Sequence, residues 1–141
     1  MNPMTRAAVK IIVLLLLLLP PALSASGDKK RAADQAAGKW LALVDRGQYE
    51  RSWQEAATLF RQQITSYAWA QAIIGVRRPL GAMRSRILMS ATYATSLPGA
   101  PDGEYVVLQY QTRFDNKQHA VETVTPMLDN GHWRVSGYYV R

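Results

Sequence analysis

Acid–base chemistry needs a titratable group held beside a reacting atom, and Glu122 is the residue of this chain best placed for it. It alternates with Val124 and Leu128, so its side chain shares a face with apolar residues. With one hairpin centred on Asn116-Lys117 and the next on Asn130-Gly131, antiparallel pairing sets Gln111 opposite Glu122, Glu122 opposite Tyr139, and Val124 opposite Gly137. That register gathers Gln109, Gln111, Glu122 and Tyr139 into a polar patch on an apolar face, the make-up of a ligand pocket. Two chemistries follow. One is ligand binding through Glu122, Tyr139, Tyr110 and Gln111; the other is general-base catalysis by Glu122, with Tyr139 or Tyr110 donating a hydrogen bond. The structural alternative is a buried carboxylate satisfied by an arginine or a tyrosine hydroxyl. The same register sends Val106, Leu108, Tyr110 and Phe114 to the opposite face, so the two halves of the sheet disagree. A one-residue bulge between the second and third strands would reconcile them, because it flips every side chain beyond it.

A second set of residues is cationic. No acidic residue lies between Glu55 and Asp102, and residues 56–101 hold Arg61, Arg77, Arg78, Arg84 and Arg86. Guanidinium forks match carboxylate and phosphate groups, so Arg77, Arg78, Arg84 and Arg86 form a candidate site for an anionic envelope component or an acidic protein partner. The alternative is local pairing, with Glu122 or with a helix C-terminus. Other chemistries lack their residues. His119 and His132 both sit beside hairpin turns, and there is no G-x-S-x-G, no H-E-x-x-H and no glycine loop followed by a phosphate-binding lysine. The absence of cysteine excludes disulfides and thiolate zinc sites. The expectation is therefore no metal, no cofactor, no nucleic-acid partner and, on balance, no enzyme. Trp40, Trp53, Trp69 and Trp133 read as core residues, because they fall on apolar stripes.

The elements that must position these groups are legible from periodicity. Ala33, Ala37, Trp40, Leu41 and Val44 recur at helical spacing ahead of Gly47; Tyr49, Trp53, Ala56, Phe60 and Ile64 form a second stripe. Thr65 or Ser66 caps a third helix, which Arg78-Pro79 ends. Period two then sets in, with strands expected over 85–95, 104–114, 119–128 and 132–141. Ile87, Met89, Ala91 and Tyr93 share one face of the first strand. Asn130-Gly131 is the strongest hairpin signal of the chain. Helices followed by an antiparallel meander make an α+β domain, with helices on one face of a curved four-stranded sheet.

The first 25 residues stand apart. Arg6 and Lys10 precede the apolar run 11–19, then Pro20-Pro21 and the small residues around Ser24-Ala25, the three-part layout of a secretory signal peptide. A run of nine residues spans about 14 Å as a helix, half of a roughly 30 Å hydrocarbon core, so it does not read as a transmembrane helix. The expectation is export to the periplasm or beyond, cleavage near Ser24 or Ala25, and one domain over 26–141. The chain's formal charge of +7 then divides: Arg6 and Lys10 leave with the signal segment, residues 56–101 carry five positive charges, and the remainder balances.

With Trp40-Leu41, Val44-Asp45, Gly47, Tyr49, Ser52-Trp53, Trp69, Arg77, Pro79-Leu80-Gly81, Leu97-Pro98-Gly99, Gly103-Glu104-Tyr105, Phe114, Asn116-Lys117, Glu122-Thr123, Trp133-Arg134-Val135 and Gly137-Tyr138-Tyr139 in this order, the chain resembles the small exported bacterial proteins of the domain of unknown function 4019 family. The resemblance implies no activity. By analogy of element order it implies an NTF2-like cone, a scaffold that hosts enzymes, ligand carriers and assembly modules. Three readings follow: an exported non-catalytic binding domain, an NTF2-like enzyme using Glu122, and a homodimer joined through the open sheet face.

Overall fold

The computed structural model describes residues 25–141. The expected signal segment lies outside them apart from Ala25, the first residue of α1 (Ala25–Asp45). The polar lead before Ala33 is helical too, with Asp28 in the first turn, where the helix dipole favours an acid. Lys29 reaches across to Glu104 at 2.5 Å, fastening this end of α1 to the sheet. Gly47 (φ 73°) ends the helix as expected. The amides of Gly47 and Gln48 donate to the carbonyls of Val44 and Leu43, closing a Schellman motif that only a residue tolerant of positive φ allows.

The second apolar stripe is two helices, not one: α2 (Tyr49–Glu55) and α3 (Thr58–Gln63). The helix opens at Ala56 and Ala57 because tertiary partners outbid the helical ladder. The Ala57 amide donates to the Val135 carbonyl at 2.8 Å, and Asp129 accepts from the Thr58 amide at 2.8 Å and from its hydroxyl at 2.9 Å, acting as a remote N-cap. Thr65 caps α4 (Ser66–Leu80) through the Ala68 amide. This helix runs past Pro79 instead of ending before it. Asn116 satisfies carbonyls left open at the helix end: its amide donates to the Leu80 carbonyl at 2.9 Å and its side chain to the Pro79 carbonyl at 3.0 Å.

The strands β1 (Met83–Ala94), β2 (Tyr105–Phe114), β3 (Lys117–Asp129) and β4 (His132–Val140) form one antiparallel sheet in the order β1-β2-β3-β4. The sheet is open, with the helices on one face, so the α+β arrangement is as expected. Asn130 and Gly131 both have positive φ, the requirement of a type I′ hairpin. Trp40 sits at the centre of the core, its ring 5.7 Å from that of Trp69, 5.5 Å from Tyr138 and 6.4 Å from Phe60. The buried indole N–H groups are satisfied, Trp40 by the Ser52 carbonyl and Trp69 by the Ser52 hydroxyl. Among the described residues no helix is long and apolar enough to cross a membrane.

Register is where the sheet departs from simple alternation. The hairpin after β2 turns on Asp115-Asn116, one residue earlier than expected, and a shift between Thr112 and Phe114 then brings Tyr110, not Gln111, opposite Glu122. A bulge between β2 and β3 therefore reconciles the two halves: Val106, Leu108, Tyr110, Thr112 and Phe114 all face the helices. A second shift, between Thr125 and Pro126, pairs Glu122 with Val140 and Val124 with Tyr138. Proline has no N–H for the ladder, and the extra residue of β4 is accommodated beside it. A third shift in β1, between Leu88 and Ser90, breaks the expected run: Ala91 and Tyr93 face inward while Ile87 and Met89 are exposed.

Candidate functional site

Glu122 is wholly buried and faces the helices. Its Oε1 accepts from Arg86 Nε at 2.7 Å and from the Thr112 hydroxyl; its Oε2 accepts from Arg86 Nη2 at 3.2 Å and from the Tyr138 hydroxyl. A carboxylate has about four lone-pair sites, so every one is taken by the chain's own donors. Each of the other three strands supplies one partner: Arg86 from β1, Thr112 from β2 and Tyr138 from β4.

The cluster continues onto the helices. Arg86 also donates to Asp45, at 2.8 Å from Nη1 and 3.0 Å from Nη2, and Arg77 Nη2 donates to the same carboxylate at 2.7 Å. Asp45 is the last residue of α1 and Arg77 lies in the last turn of α4, so an alternating chain Arg77–Asp45–Arg86–Glu122 ties both helices to the sheet. Two cations meet two anions, which is what lets four charged groups lie in the interior. Burial penalises the Asp45 carboxylate, but Arg86 and Arg77 outweigh that and hold its pKa below the ordinary value. Burial likewise opposes the charge on Arg86, and Asp45 with Glu122 more than offset it, pushing its pKa up. The Tyr138 hydroxyl is pushed up by burial and by the neighbouring Glu122, so it stays a donor. Arg77 Nε and Nη1 are buried without an acceptor among the described residues, and its guanidinium lies 4.9 Å from the centre of the Phe114 ring.

Of the residues expected to bind a ligand, only Glu122 and Tyr110 face the interior. Tyr110 stands opposite Glu122 in the register, but its hydroxyl donates to Asp34 of α1. Gln111 is exposed on the outer face, because the bulge between β2 and β3 turns it away. Tyr139 is 54% exposed, because the bulge beside Pro126 turns it outward and puts Tyr138 in its place. The four arginines do not form one surface either. Arg77 and Arg86 are committed to Asp45 and Glu122, and Arg84 grips Asp115 through two nitrogens. Arg78 is exposed, and among the described residues it forms no ion pair. A pocket of about 300 Å³ lies beside the cluster, lined by Val44, Asp45, Tyr49, Arg77 and Arg78 among others.

Sequence reasoning missed Asp45, Thr112 and Tyr138 as partners. Signals pointed to two of them, Asp45 and Tyr138. An aspartate closing a helix opposes the helix dipole unless a cation meets it there, and Pro126 inside a strand marks a bulge that exchanges the faces of Tyr138 and Tyr139. Among the described residues no group of three His, Asp or Glu side chains could hold a metal ion.

Among curated proteins none matches this chain. Residues 36–138 match the family described as "Protein of unknown function (DUF4019)", a span that contains all six residues of the buried cluster, and the chain belongs to that family.

Proposed function

We propose that this protein is an exported, non-catalytic binding domain of the cell envelope, in which the Arg77–Asp45–Arg86–Glu122 cluster closes the fold and contacts with other molecules are made elsewhere on its surface. The observation that carries this reading is the saturation of Glu122: all its acceptor sites are occupied by Arg86, Thr112 and Tyr138, so it holds no lone pair free to take a proton from a substrate. Export rests on the layout of Arg6, Lys10, the apolar run 11–19 and the small residues at 22–26. The element order is that of an NTF2-like cone by analogy only, and a cone of that kind admits a binding role as readily as a catalytic one.

Carbodiimide labelling with an amine, followed by peptide mass mapping, tests the reading. Exposed Glu50 and Asp102 should be modified while Glu122 is spared. Preferential modification of Glu122, the behaviour of an accessible reactive carboxyl, would overturn it. For export, the full chain carrying a C-terminal tag should be recovered outside the cytoplasm with a mass that lacks the segment up to Ser24 or Ala25. Recovery at full length inside the cell contradicts that part.

A further inference from the structure

A concavity of the surface lies away from the cluster, between α1 and the start of β4. It has a volume of about 550 Å³, within the roughly 300–1,000 Å³ typical of small-molecule sites. Helical spacing explains its depth. Ala32 and Ala36 stand one turn apart on α1, and their methyl groups leave room that a larger side chain would fill. Below them lie the buried Trp40 and Val135. Half-buried Trp133 adds an indole to the lining, so the groove offers apolar and aromatic surface.

The polar groups of the groove are unevenly matched. Lys39 and Arg134 both line it, and among the described residues neither forms an ion pair. Glu55, the carboxylate in the lining, is held by Arg51 at 3.1 Å. Asp129, in the same hairpin, feels the charge of Arg134, but its hydrogen bonds go to Thr58. Two cations without ion pairs among the described residues thus border the groove, against one lining carboxylate, Glu55, that is paired with Arg51.

We infer that the groove between α1 and β4 binds a small organic anion with a flat apolar body, the body lying against Ala32, Ala36 and Trp133 and the anionic group meeting Lys39 and Arg134. This rests on the reading of the protein as a binding domain and names the place and the ligand class. The anionic head gains charge-assisted hydrogen bonds from the two cations, and the flat body removes apolar surface of both partners from water.

The probe is 8-anilinonaphthalene-1-sulfonate, with N-phenyl-1-naphthylamine, which has the same rings and no charge, as its control. Titrated into the folded domain, the sulfonate should show saturable one-to-one binding, and the neutral compound should bind about tenfold more weakly. Lys39→Gln with Arg134→Gln should weaken the sulfonate by about tenfold and leave the neutral compound unaltered. Ala36→Leu, which keeps a good helix former, should abolish binding of both with the thermal transition preserved. Amide shifts induced by the sulfonate should fall on residues 32–40 and 132–135. Equal affinity of the two probes, unchanged binding in Ala36→Leu, shifts on another surface, or no saturable binding overturns the inference. Such a result leaves the binding-domain reading in place, whereas modification of Glu122 by carbodiimide removes that reading without touching the groove.

Discussion

Arg86 and Arg134 are both arginines on strands of one sheet, and their surroundings are opposite. Arg86 stands among Asp45 and Glu122, with its side chain 13% exposed and three of its nitrogens committed. Arg134 lines an open groove and has no ion pair among the described residues. Arg86 comes from the arginine-rich stretch that looked like an anion surface, while Arg134 comes from a part of the sequence with balanced charge. Linear charge density therefore does not report which arginines folding leaves outside ion pairs. A cation is available to a ligand only when folding leaves no carboxylate paired with it, and that depends on which helix ends and strand faces meet.

The sharpest way to break the comparison is to remove each arginine. Arg86→Leu leaves the buried Glu122 without a cation and Asp45 with Arg77 alone, and should cost about 3–5 kcal/mol of stability, read from the urea midpoint. Arg134→Leu, which leaves no buried partner, should stay within about 0.5 kcal/mol of the parent. Equal effects would dissolve the distinction. Pairing Arg86→Met with Glu122→Leu should recover part of the loss, because the buried ion pair is removed as a unit while the Thr112 and Tyr138 hydroxyls lose their acceptor.

The next effect concerns the bulge beside Pro126. Tyr138→Phe removes a donor from a buried carboxylate and should cost about 1.5–3 kcal/mol, while Tyr139→Phe on the outer face should be nearly silent in the same denaturation assay. A reversal would place the register as simple alternation had it. A smaller effect is acid sensitivity. The Asp45 pKa is lower in the folded chain than its ordinary value of 3.8, so its contribution to stability is fully present above that pH and is lost as pH falls through the folded value. Stability measured from pH 6 downward should drop on this acid limb, and Asp45→Asn should flatten the drop. Glu104, Asp115 and Asp129, also held low by their partners, keep part of the slope in that variant.

Much of the architecture was legible because its signals are local. The Asn130-Gly131 turn, the Thr65 cap, the Gly47 stop and the change from helical to strand period each depend on a few neighbouring residues. The inward aim of Glu122 was legible as well, because it shares the face of Val124. Its partners were not, because each register shift displaces pairing by one residue, and a shift of one exchanges Tyr138 for Tyr139 and Tyr110 for Gln111. The break at Ala56 and Ala57 was hidden for a related reason: its cause, Asp129 at the N-terminus of α3, lies 71 positions away in the chain. The helix face that separates Arg77 from Arg78, and the register shift between Met83 and Ser85 that separates Arg84 from Arg86, cannot be weighed by counting charges along a segment.

The central claim is that Glu122 is kept for the fold and not for chemistry, and the stability of Glu122→Gln tests it most directly. The account predicts a loss of about 3 kcal/mol, because the amide leaves Arg86 with one charge partner instead of two in a buried setting. Stability equal to or above that of the parent, the signature of a residue retained for activity at the expense of the fold, would contradict it.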